Sequence, residues 1–115
     1  MRDDKENIII DLTFKFSLAI IEYCEKLETE RKFVLARQLL KSGTSIGANS
    51  REAQNEESKA YFIHKFKIAA KEADETEYWL LLCKQSKSYS DIGGLLVDLQ
   101  VISKFISKII SSSKQ

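Results

Sequence analysis

Four carboxylates, Glu72, Asp74, Glu75 and Glu77, crowd into one short stretch, and the chain's one histidine, His64, precedes them. Carboxylates beside an imidazole are the raw material of metal sites and of acid–base catalysis. The spacing excludes the helical version of such a site. A di-iron centre between helices needs Glu-x-x-His on two of them, whereas the residue three before His64 is Tyr61. Cys24 and Cys83 are isolated thiols with no C-x-x-C spacing, and no G-x-S-x-G segment supplies a nucleophile. They read as reduced, partly buried small hydrophobes. No catalytic residue, metal or cofactor is implied, and the chain does not read as an enzyme.

The stretch "GTSIGANS" (43–50) invites comparison with a phosphate loop. That loop requires G-x-x-x-x-G-K-[ST] after a strand. Here three residues separate Gly43 from Gly47, no lysine follows, and no strand pattern precedes. Wound as a helix, the segment sorts into faces instead. Leu39, Gly43, Ile46, Ser50 and Ala53 form an apolar, small-residue side. Gln38, Ser42, Ser45, Asn49 and Glu52 form a polar stripe. Arg37, Lys41, Thr44, Ala48 and Arg51 form a basic one. Each glycine costs about 1 kcal/mol in a helix relative to alanine. Closer approach of a neighbour that buries one more large side chain returns about 1.5–3 kcal/mol.

The basic residues offer the remaining chemistry. Arg37, Lys41 and Arg51 share one helical face, and His64, Lys67 and Lys71, spaced by three and four, share another. Side by side they would form a band able to neutralise phosphates; the competing reading is a solvated, self-paired face. Tyr61, Trp79 and Tyr89 are able to stack on unpaired bases but are expected in a core or interface. The polar stripe is expected to hydrogen-bond across a helix or subunit boundary, and Glu72 or Glu75 to pair with Arg37 or Arg51 of a neighbouring subunit.

The elements that position these residues are helical throughout. The chain has 115 residues, no proline, 43% hydrophobic and 30% charged residues, the composition of one soluble domain. A net charge of +1 hides an uneven spread: −4 over residues 1–30, +6 over 31–71 and −1 over 72–115. No apolar run approaches a membrane span, and the N-terminus lacks a signal-peptide pattern, so a cytoplasmic protein is expected.

Apolar periodicity places helices at about 8–28, 32–55, 58–87 and 91–111 of a single domain, 1–115. The first carries two stripes, Ile9, Leu12, Phe16, Ile20, Tyr23, Leu27 and Ile10, Phe14, Leu18, Ile21, more than one neighbour can cover. Thr29, Ser58, and Ser90 or Asp91 are the expected N-caps. Short connections predict an all-α, up-down-up-down four-helix bundle.

"RQLLKSGTSIGANSREA" followed by "SKAYFIHKFKIAAKEADETEYWLLL" resembles the four-helix-bundle, ribosomal-protein-like family encoded by intervening sequences in 23S ribosomal RNA genes. The pattern is Q-L-x-x-S-x-x-S-I-x-x-N-x-x-E, met by Gln38, Leu39, Ser42, Ser45, Ile46, Asn49 and Glu52, then an E-T-x-Y-W-L segment met by Glu75, Thr76, Tyr78, Trp79 and Leu80. The resemblance spans about residues 8–110. It implies a left-handed bundle assembled into a ring, a homopentamer favoured, without enzymatic activity. It also brings in the accessory proteins of diversity-generating retroelements, which look like basic rings that bind nucleic acid and a reverse transcriptase. Relatives often continue N-I-x-E-G; this chain has Ser50 for the apolar residue and Ala53 for the glycine, which bears on how the second helix ends. Two functions follow as expectations: a basic ring that binds RNA, or a structural, protein-interaction module.

Overall fold

The computed structural model describes residues 4–55 and 57–114; the expected domain limits at 1 and 115 lie outside them. Four helices, α1 (Asp4–Thr29), α2 (Phe33–Glu52), α3 (Lys59–Gln85) and α4 (Leu95–Ser113), account for most of the chain, with no strand among the described residues. Each helix packs on its chain neighbours, and α4 closes on α1. The array measures 46 × 20 × 19 Å.

The core follows the sequence periodicity. α3 buries Phe62, Phe66, Ala69, Ala73, Thr76, Leu80 and Cys83, and α4 buries Leu95, Leu99, Ile102, Ile106 and Ile109. On α1 the stripe Ile9, Phe16, Ile20, Tyr23 and Leu27 is buried. Of the second stripe, Ile10 is half-buried against the core, whereas Phe14 is 57% exposed and Leu18 50%.

Gly43 through Asn49 are helical, and the glycines admit α1. A Cβ on Gly43 would stand 3.0 Å from two carbons of Ile20, and one on Gly47 would stand 3.3 Å from the Thr13 backbone carbonyl. The α1–α2 contact is therefore antiparallel and close. The departure at Ser50 and Ala53 is absorbed locally. The buried Ser50 hydroxyl donates to the Ile46 carbonyl at 2.8 Å, and the chain tightens into a 3-10 turn, Ala53–Asn55, without left-handed backbone.

α1 starts four residues before the expected position 8 and α4 four after the expected 91, and two of the expected N-caps do not cap. Thr29 does not cap α2; it closes α1, with its hydroxyl on the Lys26 carbonyl at 2.7 Å. Arg31 takes φ 64°, and the amides of Arg31 and Lys32 return to the Glu28 and Leu27 carbonyls at 2.9 and 2.8 Å. That is a Schellman ending, usually built on glycine. Likewise neither Ser90 nor Asp91 caps α4, whose N-cap is Gly94. The Asp91 carboxylate instead accepts from the Gly93 amide at 3.1 Å, and Gly93 supplies the φ of +60° the turn needs. Ser58 caps α3 as expected, accepting from the Tyr61 amide at 3.1 Å.

Both cysteines are free and buried. No Cα of α1 lies within 8 Å of one of α3, so Cys24 and Cys83 exceed disulfide reach in the native fold. Tyr23 ties this end of the molecule together. Its hydroxyl donates to the Ser90 carbonyl at 2.7 Å and lies close enough to the Cys83 thiol for each to shift the other's titration.

Candidate nucleic-acid interface

α2 and α3 run antiparallel with a register fixed at two points. Ser42 Oγ and Thr76 Oγ1 lie 2.9 Å apart in the core, and Lys65 Nζ meets Glu52 Oε1 at 2.7 Å nearer the other end. This register puts Arg37 and Lys41 of α2 level with residues 77–81 of α3, and His64, Lys67 and Lys71 level with the last two turns of α2. All five side chains are exposed.

The six cations expected to act together are divided. Lys41 and Lys71 both act electrostatically on Glu72, so they flank the α2–α3 groove from opposite helices. Arg51 lies elsewhere, in the α1–α2 groove beside Ile10, Phe14, Gly47 and Ala48, where a cavity of about 350 Å³ opens. Among the described residues none of Arg37, Lys41, Arg51, Lys67 or Lys71 forms an ion pair.

The polar stripe is mostly bonded within its own helix. Ser45 Oγ donates to the Lys41 carbonyl at 2.6 Å, and Asn49 Nδ2 to the Ser45 carbonyl at 2.9 Å. Only Ser42 and Glu52 reach α3. Gln38 stays exposed. Such back-bonding of short polar side chains to the preceding turn is their usual resort inside a helix.

Glu72 is half-buried. Burial raises its pKa, the nearby Glu75 carboxylate adds to the rise, and Lys41 and Lys71 partly offset it. Glu75 is engaged within its helix: Oε2 accepts from Trp79 Nε1 at 3.2 Å. Neither carboxylate forms an ion pair with Arg37 or Arg51 among the described residues. Among those residues no cluster of three His, Cys, Asp or Glu is placed to hold a metal ion.

Two features were missed from the sequence. Lys65 pairs with Glu52 across helices, which only the register reveals. Tyr78, quoted above for its motif alone, is the aromatic of α3 most open to solvent at 57%, and its ring meets Trp79 edge-on at 5.3 Å. Its helical position opposite the buried Leu80 stripe was the available signal.

An all-α protein with a basic, carboxylate-lined α2–α3 face defines a class rather than an activity. The family model for the 23S rRNA-intervening sequence protein matches residues 5–108, and the chain belongs to that family. No curated protein matches it. It is similar to a protein of unknown function from the S23 ribosomal protein family of Bacteroides thetaiotaomicron VPI-5482, known from a 1.70 Å crystal structure. Identity is 41% over 93% of this chain and 98% of that one, with a TM-score of 0.88. Neither comparison indicates an enzymatic family. No helix among the described residues is long and apolar enough to cross a membrane.

Proposed function

We propose that the protein is a non-enzymatic, RNA-associated component of the cytoplasm. In this reading its left-handed four-helix bundle assembles into a homo-oligomeric ring, five subunits being the number the resemblance implies. Repetition around the ring multiplies the cations of α2 and α3. The observation that carries the reading is the set Arg37, Lys41, Lys67 and Lys71, exposed and without an ion pair among the described residues. Exposed cations not locked in an ion pair are available to phosphate, and each one engaged adds to affinity by counterion release. The family's link to 23S ribosomal RNA makes that RNA the first probe.

The test is retention of labelled 23S rRNA fragments across a salt series. Binding should weaken steeply as salt rises, and Arg37→Glu with Lys41→Glu should abolish it while leaving helicity and assembly mass intact. Retention unchanged by that pair removes the proposal. A second reading, a structural module that docks a protein such as a reverse transcriptase, draws on the exposed Phe14, Leu18 and Ile21 of α1. It expects a salt-insensitive protein complex and no RNA binding.

A further inference from the structure

We infer that Tyr78 is a stacking platform for a single unpaired base, so that the RNA held on the α2–α3 face is single-stranded where it crosses α3. This rests on the RNA reading above and narrows it. Tyr78 is more than half exposed, and the edge of Trp79 braces its ring at 62°. Trp79 is itself half-buried against the core and tethered through its indole N–H to Glu75. The platform is therefore held before any ligand arrives, which spares part of the ordering cost of binding.

The other outward tyrosines are engaged: a lysine lies over each, Lys65 over Tyr61 at 5.8 Å and Lys32 over Tyr89 at 5.0 Å. Among the described residues no cation covers Tyr78.

Its surroundings define the ligand. The register sets Arg37 and Lys41 of α2 at the same height along the bundle as Tyr78, and Lys71 lies seven residues before it on the same outer side of α3, about 10 Å along the helix. Glu72, Asp74, Glu75 and Glu77 occupy the two turns between. Their charge repels phosphate from the ring and leaves the backbone to the cations on either side. What reaches the ring is then an uncharged planar surface, a base. In a duplex the bases are already stacked and their faces closed, so a ring on a convex helix surface meets a base only in an unpaired strand.

The test compares a twelve-nucleotide oligouridylate with a hairpin duplex of equal charge, using wild-type protein, Tyr78→Ala, Tyr78→Phe and Lys41→Glu. Binding is read by anisotropy, and also by emission of Trp79, the chain's single tryptophan. The single strand should bind more tightly than the duplex and perturb Trp79 emission. Tyr78→Ala should weaken the single strand roughly tenfold, with the salt slope and duplex affinity unchanged. Tyr78→Phe should retain binding, and Lys41→Glu should weaken both probes. Equal single-strand affinity of Tyr78→Ala and wild type overturns the platform while leaving the RNA reading standing. A Tyr78→Ala protein that changes assembly mass instead makes the ring a protein contact and overturns it too. Failure of both probes to bind wild type takes down both readings.

Discussion

Ser42 Oγ and Thr76 Oγ1 meet at 2.9 Å inside the core, both residues fully buried. Thr76 also lies 2.7 Å from the Glu72 carbonyl. A hydroxyl has one proton, so when Thr76 donates to that carbonyl, Ser42 supplies the proton of the shared bond. The pair fixes the α2–α3 register beneath the cationic face. Thr76→Val strands the Ser42 hydroxyl, whose other contact, the Leu39 carbonyl, is a marginal 3.5 Å away. The expected loss is about 1–3 kcal/mol in urea unfolding. Adding Ser42→Ala should recover part of it; additive losses in the double variant would show that the hydroxyls do not act as a pair.

Gly43→Ala sets helix propensity against packing. The exposed-helix gain of about 1 kcal/mol is opposed by a methyl placed 3.0 Å from the branched side chain of Ile20, which is fully buried and cannot swing away. Overpacking of this kind costs about 1–3 kcal/mol. A net destabilisation is expected by thermal melting. Adding Ile20→Ala to Gly43→Ala, compared with Ile20→Ala alone, should turn the same methyl stabilising.

The helices and their buried stripes were legible because hydrophobic burial writes a 3.6-residue period into the sequence. Phe62 through Cys83 and Leu95 through Ile109 are continuous examples. The helix ends were less so. Thr29 and Asp91 have capping chemistry but sit at a C-terminus and in a turn, because backbone conformation at Arg31 and Gly93 decides where each helix stops or starts. The candidate site was legible only as separate residues. Which cations share a groove depends on register, and that depends on Ser42 meeting Thr76. Hence Lys41 of α2 and Lys71 of α3 both act electrostatically on Glu72, while Arg51, on the same sequence stripe as Lys41, lines the α1–α2 groove.

Arg31 holds a left-handed conformation that costs a side-chain-bearing residue about 1–2 kcal/mol. Glycine removes that cost and forfeits part of it through its looser unfolded chain. Arg31→Gly should therefore stabilise the protein by about 0.5–1 kcal/mol. Arg31→Ala, which keeps the Cβ, should leave the melting temperature nearly unchanged. Equal stabilisation by both variants would implicate the lost charge rather than the backbone.

The Tyr23–Cys24–Cys83 cluster predicts a loss of stability on the alkaline side only. Burial pushes Cys24 up to about 12 from an ordinary 9.0. Burial likewise raises Tyr23, and raises Cys83 against the lowering effect of the nearby Tyr23 hydroxyl. Each group is neutral when protonated, so the folded state holds these protons more tightly than the unfolded chain does. Their contribution is complete below pH 9 and is lost as pH climbs toward 12. Melting temperature should be flat from pH 7 to 8.5 and fall above that, and Cys24→Ala should flatten the fall. Thiol reagents at pH 7.5 should modify neither cysteine until the chain unfolds.

The strip along α1 and α2 predicts association. Phe14, Leu18 and Ile21 share one side of α1 and, like Leu40 of α2, are more than a third exposed, and Ile10, Gly47 and Ala48 line the groove beside Phe14. An apolar strip three helical turns long is a surface that monomers seldom leave to water. Because Phe14 and Leu18 point away from the chain's own core, replacing each with glutamate should cost the folded subunit little. Circular dichroism should retain the wild-type helicity, while sedimentation should show the mass fall to that of one 13.2 kDa chain. Glutamates tolerated at both positions with no change in mass would place subunit contacts elsewhere. In that case the Val97 and Val101 side of α4, also exposed, becomes the surface to charge next.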